Sequence, residues 1–277
     1  MPGAARRRSS PLPGFELSLG ITILWLSLIV LIPLSAVFVR SVSEGWSTFW
    51  AAAVSPRAIA AYRLSFGAAA LAAAINCIFG LLVGWVLVRY RFTGRRLLSA
   101  VIDLPFALPT AVAGIALTAL YADTGIIGRL LSAAGMPVAY KPAGVVVALT
   151  FIGLPFVVRT VEPVLAELSS EVEEAALTLG ATRLQTFSRV ILPSIAPALA
   201  TGFALAFARG AGEYGSVIFI AGNVPFKSEI APLLIITQLE EYNYAGATAI
   251  ACVMLLISFA VLLLLNLLQH WRQRRDA

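Results

Sequence analysis

The stretch Glu174-Ala175-Ala176-Leu177-Thr178-Leu179-Gly180, closed further on by Leu192-Pro193, is a polar island in a chain that is otherwise almost continuously apolar. Of the 277 residues 60% are hydrophobic and 12% charged, and the mean hydropathy is +0.90. Soluble domains average about 25% charged residues. A chain this poor in charge belongs in a bilayer, and a polar hook kept folded on one face of it calls for a partner to grip it.

Charge-free apolar runs of about 20 residues match the thickness of the hydrocarbon core. Before the island lie Leu17 to Val39, Leu64 to Val88, Leu104 to Ala122 and Ala143 to Val158, the last extending past Arg159, whose stem can snorkel. After it come Ser194 to about Ala221 and Tyr244 to Leu268. These runs predict an all-α integral membrane protein with six transmembrane helices. The first run is too long, and lacks too clearly a small-x-small cleavage site, to be a signal peptide, so it is expected to stay as a helix.

Basic residues favour the cytoplasmic side of short loops. With an even number of spans both termini share a side. Placing that side in the cytoplasm gathers there thirteen of the 20 basic residues: Arg6, Arg7, Arg8, Arg89, Arg91, Arg95, Arg96, Arg159, Arg183, Arg189, Arg272, Arg274 and Arg275. The other side receives Arg40, Arg57, Arg63, Arg129, Lys141 and Lys227. The expected orientation is N-in, C-in. A pI near 9.7 does not point to nucleic acid, because the charges sit at span ends and not along one groove-tracking face. The two cysteines, Cys77 and Cys252, fall inside spans and the one histidine, His270, ends the last, so neither a disulfide framework nor a metal cluster can be assembled.

Two stretches imitate nucleotide sites. Gly210-Ala-Gly212-Glu-Tyr-Gly215 has the G-x-G-x-x-G letters, but that fingerprint works only between a strand and a helix N-terminus. Here it is expected to continue an Ala-rich helix, where small residues serve close packing. Gly222-Asn-Val-Pro-Phe-Lys227-Ser228 resembles a phosphate loop with Phe226 where a second glycine must stand. No ATP site is visible in the chain.

The island carries its own punctuation. Ser170 with Glu173, and Thr182 with Gln185, have the spacing of capping boxes. Gly180 between them suits a left-handed helix end. The expectation is a helix from about Glu171 to Leu179, opening after Pro163, then a second helix into Val190. Val172, Ala175, Ala176 and Leu179 share one face of the first helix, flanked by Glu173 and Glu174. A small apolar face rimmed by carboxylates suits a groove on another protein. The alternative, a helix resting on lipid, usually calls for Lys and Arg on the polar face.

At these residues the chain resembles the inner-membrane permease subunits of bacterial ABC importers, whose cytoplasmic loop carries Glu-Ala-Ala, a later Gly, and Ile-x-Leu-Pro. Glu174, Ala175, Ala176, Gly180, Leu192 and Pro193 match, with Val190 at the isoleucine position. The resemblance implies the type I ABC importer permease fold, a multi-pass place in the bacterial inner (plasma) membrane, and an elbow that couples to a separate ATPase subunit. Leu104-Pro-Phe-Ala-Leu-Pro109-Thr-Ala-Val-Ala-Gly114 looks like the molybdate and sulfate branch of that family. Gly212-Glu-Tyr-Gly-Ser-Val-Ile-Phe-Ile-Ala-Gly-Asn223 and Gln238-Leu-Glu-Glu-Tyr-Asn-Tyr244 look more narrowly like the T-type permeases of sulfate/thiosulfate importers. The implied partners are a second permease, a paralogue, two copies of the ATPase and a periplasmic sulfate-binding protein. ATP and Mg would sit on the ATPase, with no cofactor on this chain and no catalytic residue in it. On this resemblance residues 1–58 hold the N-terminus, first helix and outer loop, 59–270 the permease core with the elbow at 163–193, and 271–277 a cytoplasmic tail.

Four residues are candidates for the translocation path. Pro105 and Pro109 each lack a backbone donor, and breaks of this kind in a membrane are tolerated beside other helices or a water-filled cavity. They either line a route or kink a packed helix. Arg209 and Glu213 stand four apart on one face of the fifth span, Arg209 roughly 22 Å from Ser194 at about 1.5 Å per residue. They either form a buried pair that holds helices together or present Arg209 to an anion, with Glu213 moderating its grip. Gly80 and Gly84 have the spacing of close helix contact. An importer of molybdate or tungstate is the alternative substrate assignment. A secondary transporter or channel would need no ATPase and often shows inverted repeats, which are not evident here. A membrane enzyme would need convergent nucleophile, base or metal ligands.

Overall fold

Helix is the only regular secondary structure among the described residues, as expected where the backbone has no water to bond and must satisfy itself within each segment. The computed structural model describes residues 14–43 and 45–276, without the side chains of Ser170 and of residues 268–276. Arg6, Arg7 and Arg8, and the side chains of His270, Arg272, Arg274 and Arg275, lie outside what is described. In chain order the helices are α1 (Phe15–Val42), α2 (Trp46–Ala53), α3 (Pro56–Arg89), α4 (Arg95–Ile102), α5 (Leu104–Ala107), α6 (Thr110–Tyr121), α7 (Ile126–Ala133), α8 (Pro142–Glu167), α9 (Ser170–Thr178), α10 (Arg183–Ala211), α11 (Val217–Ile220), α12 (Ala231–Glu240) and α13 (Tyr244–Asp276).

Five of these, α1, α3, α8, α10 and α13, are long and apolar enough to cross a membrane, and α6 with α7, bent by 48°, brings the number to as many as six. The third span is therefore not the unbroken run from Leu104 to Ala122. It stops at Leu108, restarts at Thr110 and bends again after Tyr121. α3 begins at Pro56 instead of Leu64, because the Ser55 hydroxyl caps it by accepting from the Ala58 N–H at 3.2 Å. α8 runs through Pro155 and Pro163 to Glu167, so the extension past Arg159 holds and the island opens later than expected.

The fifth span begins at Arg183 and ends at Ala211, in place of Ser194 to about Ala221. A π-turn over Phe187–Ile191 ends two residues before Pro193, and another over Ser27–Leu31 ends two residues before Pro33. The wider turn relieves the clash between a proline ring and the carbonyl four residues back, so each helix continues through its proline. At the far end Gly212–Ser216 leave the helix, so Gly210-Ala-Gly212 terminates α10 and does not extend it.

The core is a three-helix wedge of α3, α8 and α10. Apolar side chains gain little by leaving lipid for one another, so such helices associate through close contact. A Cβ on Gly80 would lie 2.9 Å from Val157 Cγ1, one on Gly153 2.5 Å from Asn76 Nδ2, and one on Gly202 2.5 Å from Thr160 Oγ1. Gly84 meets Val161 and Leu165 at ordinary contact distance, so the Gly80 and Gly84 spacing serves helix packing. Val157, Val161, Leu165 and Ile195 are wholly buried between these helices. On the other flank, Ala249 and Cys252 of α13 pack on Phe49 and Ala53 of α2. α1 lies outermost, with Ser41 its only buried residue.

Gly80→Leu should destabilise the wedge by about 1–3 kcal/mol, the usual cost of overpacking, read as a lower thermal midpoint in detergent. Gly212→Ala, with nothing within 4 Å of its Cβ position, should leave the midpoint unchanged.

Candidate functional site

The elbow is built from its caps. The Ser169 hydroxyl accepts from the Glu171 N–H at 3.2 Å and opens α9. The expected box of Ser170 and Glu173 is thus corrected: Ser170 is the first helical residue, and Glu173 turns to Arg89 instead. An arginine offers the carboxylate a charge-assisted bond, stronger than one to a neutral amide. At the other end Gly180 has φ +83, its N–H donates to Leu177 O at 3.0 Å, and the Ala181 N–H donates to Ala176 O at 3.0 Å. This is the paired closure that a left-handed glycine permits.

The second box is present. The Thr182 N–H donates to Gln185 Oε1 at 2.8 Å and the Gln185 N–H to Thr182 Oγ1 at 3.3 Å. It starts α10 itself, so the elbow's second limb and the fifth span are one rod rather than two helices. Val172, Glu174, Ala175, Leu177 and Leu179 are exposed, Leu179 by 88%, and Leu184 beside them by 75%. Ala176 is half-buried. Glu174, Ala175, Ala176 and Gly180 therefore share the tip, while Leu192 and Pro193 lie along α10, where Leu192 packs on the core.

Arg89, the last residue of α3, ties this region together. It pairs with Glu173 of α9, donates from Nη2 to Leu168 O at 3.4 Å, and lies 5.4 Å from the centre of the Trp85 ring. Trp85 in turn meets Phe187 of the α10 π-turn edge to face at 6.1 Å. Sequence reasoning counted Arg89 only as a topology marker. The available signal was the i,i+4 pair Trp85 and Arg89 on the helix end that precedes an acidic island.

The broken spans form a second feature. Pro105 lies in the first turn of α5 and Pro109 is the residue before α6. Neither takes a donor from a helix interior, so the expected loss of a ladder bond does not occur; both prolines start helices. Arg209 and Glu213 are paired as their spacing suggested, with side chains 37% and 2% exposed. Glu213 lies beyond the last residue of α10, and its Oε1 accepts from the Ser216 N–H at 3.0 Å and the Ser216 hydroxyl at 3.1 Å. The two breaks touch: a Cβ on Gly215 would lie 2.2 Å from Thr110 Oγ1, and one on Gly114 2.4 Å from Ser216 O. The structure thus brings Pro109 to the Glu213 loop. Pro105 stands apart on α5, whose Phe106 packs on Phe156 of α8 with ring centres 5.1 Å apart.

Three further ion pairs escaped the sequence, one of them Arg159 with Glu162 on its own helix. Arg159 Nε donates to Asp103 Oδ1 at 2.8 Å and its Nη2 to Ser99 Oγ at 2.8 Å. Arg57 donates to both oxygens of buried Glu229 at 2.8 and 2.7 Å. No group of residues that could hold a metal occurs among the described residues.

A helical membrane core with an exposed polar elbow and a paired charge at broken spans is the architecture of a transport permease. Residues 76–275 match the family of binding-protein-dependent transport system inner membrane components, and the chain belongs to that family. It is 50% identical over 264 residues to the sulfate transport system permease protein CysT of Salmonella typhimurium, covering 95% of each chain. CysT of Escherichia coli K12 is 49% identical over the same length and coverage, and CysT of Synechocystis is 50% identical over 254 residues, 92% of this chain and 89% of that one. The fold is that of the type I ABC importer permeases. A chain of a bacterial ABC transporter involved in the import of the acidic polysaccharide alginate superposes with a TM-score of 0.75 at 16% identity, covering 92% of this chain and 94% of that one.

Arg89→Ala should loosen the elbow. Loss of the cation–π contact and the half-buried ion pair, about 1–2 kcal/mol together, predicts roughly tenfold faster amide exchange in α9 and no change at the centre of α8.

Proposed function

We propose that this chain is one permease subunit of an ATP-driven importer for sulfate, with thiosulfate as a second substrate. The observation that carries the reading is near 50% identity over 95% of the chain to permeases named for sulfate transport. The elbow tip supports the coupling half of it. Exposed Val172, Ala175 and Leu179 rimmed by Glu174 would dock in a cleft of a separate ATPase subunit, which would bind ATP and Mg.

The inferred orientation is N-in, C-in, which places the elbow in the cytoplasm beside the ATPase. A second permease, a paralogue, would complete the path, and a periplasmic binding protein would deliver the anion to the opposite mouth. ATP binding would draw two ATPase copies together and carry α9 with them. Because α8 and α10 flank α9 directly, that displacement would rock the core between inward-open and outward-open states. Arg209 would attract the dianion beside the break at Pro109, and Glu213 would keep the grip weak enough for release. This chain would perform no covalent chemistry.

The deciding experiment is uptake of radiolabelled sulfate in cells with and without the gene, with unlabelled thiosulfate and molybdate as competitors. Loss of sulfate uptake with thiosulfate competing is the expected result; intact sulfate uptake with molybdate uptake lost would move the substrate. Ala175→Arg should uncouple hydrolysis from uptake while the complex still assembles. Arg209→Gln should slow uptake by tenfold or more with ATPase assembly intact, and unchanged uptake would remove Arg209 from the path.

A further inference from the structure

A groove of about 860 Å³ runs between α3 and α10 at the elbow end, lined by Ile78, Leu82, Trp85, Tyr90, Phe187 and Leu192 among others. At its deep end Cys77 donates from Sγ to Leu199 O at 3.8 Å, closing the helices on each other. From Cys77 to Tyr90 the groove is about 20 Å long at 1.5 Å per residue, close to one leaflet with its headgroup layer. Trp85 and Tyr90, apolar rings with polar tips, stand at the open end, as suits the membrane interface.

Charge selects the occupant. Arg183 stands four residues before Phe187 on α10, hence on the same face, and Arg91 follows Tyr90. Both are exposed, and neither has an ion pair among the described residues. We propose that this groove binds one anionic phospholipid, an acyl chain lying along Ile78, Leu82 and Trp85 and the phosphate held by Arg183 and Arg91. This site is independent of the substrate reading.

The test uses the permease assembled with its partner subunits in nanodiscs of phosphatidylglycerol or of phosphatidylcholine. The complex is then extracted into mild detergent and the lipid retained is counted by native mass spectrometry. Wild type is expected to retain phosphatidylglycerol preferentially. Arg183→Gln should cut that retention about fivefold, the equivalent of about 1 kcal/mol for one basic residue at an anionic surface, and leave phosphatidylcholine unchanged. Leu82→Trp, which fills the groove, should cut both. Equal retention of the two lipids by wild type, or no effect of Arg183→Gln, overturns the proposal. Loss of the second permease on Leu82→Trp with Arg183→Gln silent would instead make the groove a seat between subunits, and would also overturn it.

Discussion

In hydrocarbon an apolar side chain is as well solvated by lipid as by another helix, so what holds this molecule together is how near its backbones come. Gly80 against Val157, Gly153 against Asn76 and Gly202 against Thr160 leave no room for a single added carbon. Those contacts join α3, α8 and α10 into one wedge. Everything else leans on it: α13 carries α2 and α12 at its side, and α1 remains almost wholly exposed. Asn76, wholly buried at the centre of the wedge, lies where Gly153 leaves room for its amide.

The wedge gives the elbow its mechanical meaning. α9 is strung between the end of α8 and the start of α10, two of the three wedge helices, and Arg89 binds it to the third. A force on α9 therefore reaches every helix of the core at once. The π-turn before Pro193 matters for the same reason, since a break there would hinge α10 just above the elbow. By letting the rod pass through its proline, the turn keeps the limb and the span a single lever.

What could be read beforehand followed from what the bilayer imposes. Span number came from run lengths that hydrocarbon thickness fixes, and the Gly180 and Thr182 signals worked because caps act within a few residues. Pro109 signalled the break in the third span, whereas the one at Gly212–Ser216 was missed because hydropathy averages over a window and does not register where an apolar backbone leaves the helix. Prolines in this chain also mislead, since Pro155 and Pro163 sit inside a helix while Pro105 and Pro109 start them. Ser169 and Ser170 are adjacent, and the helix takes Ser169 as its cap while Glu173 turns to a partner 84 residues away. Arg57 and Glu229, separated by 172 residues, have no local signature at all.

The pair that spacing did reveal, Arg209 and Glu213, is unequal once its surroundings are counted. Irregular backbone at membrane depth persists only where protein or enclosed water satisfies it, and in Gly212–Ser216 the Glu213 carboxylate does this by accepting both donors of Ser216. Those bonds remain whether or not Arg209 is present. Glu213 is buried and committed to the break, whereas Arg209 is more than a third exposed and uses one edge of its guanidinium. Arg209 can therefore exchange partners without disturbing the break. Glu213 cannot, because moving it would strand the Ser216 amide beside Thr110 and Gly114, where no added atom fits.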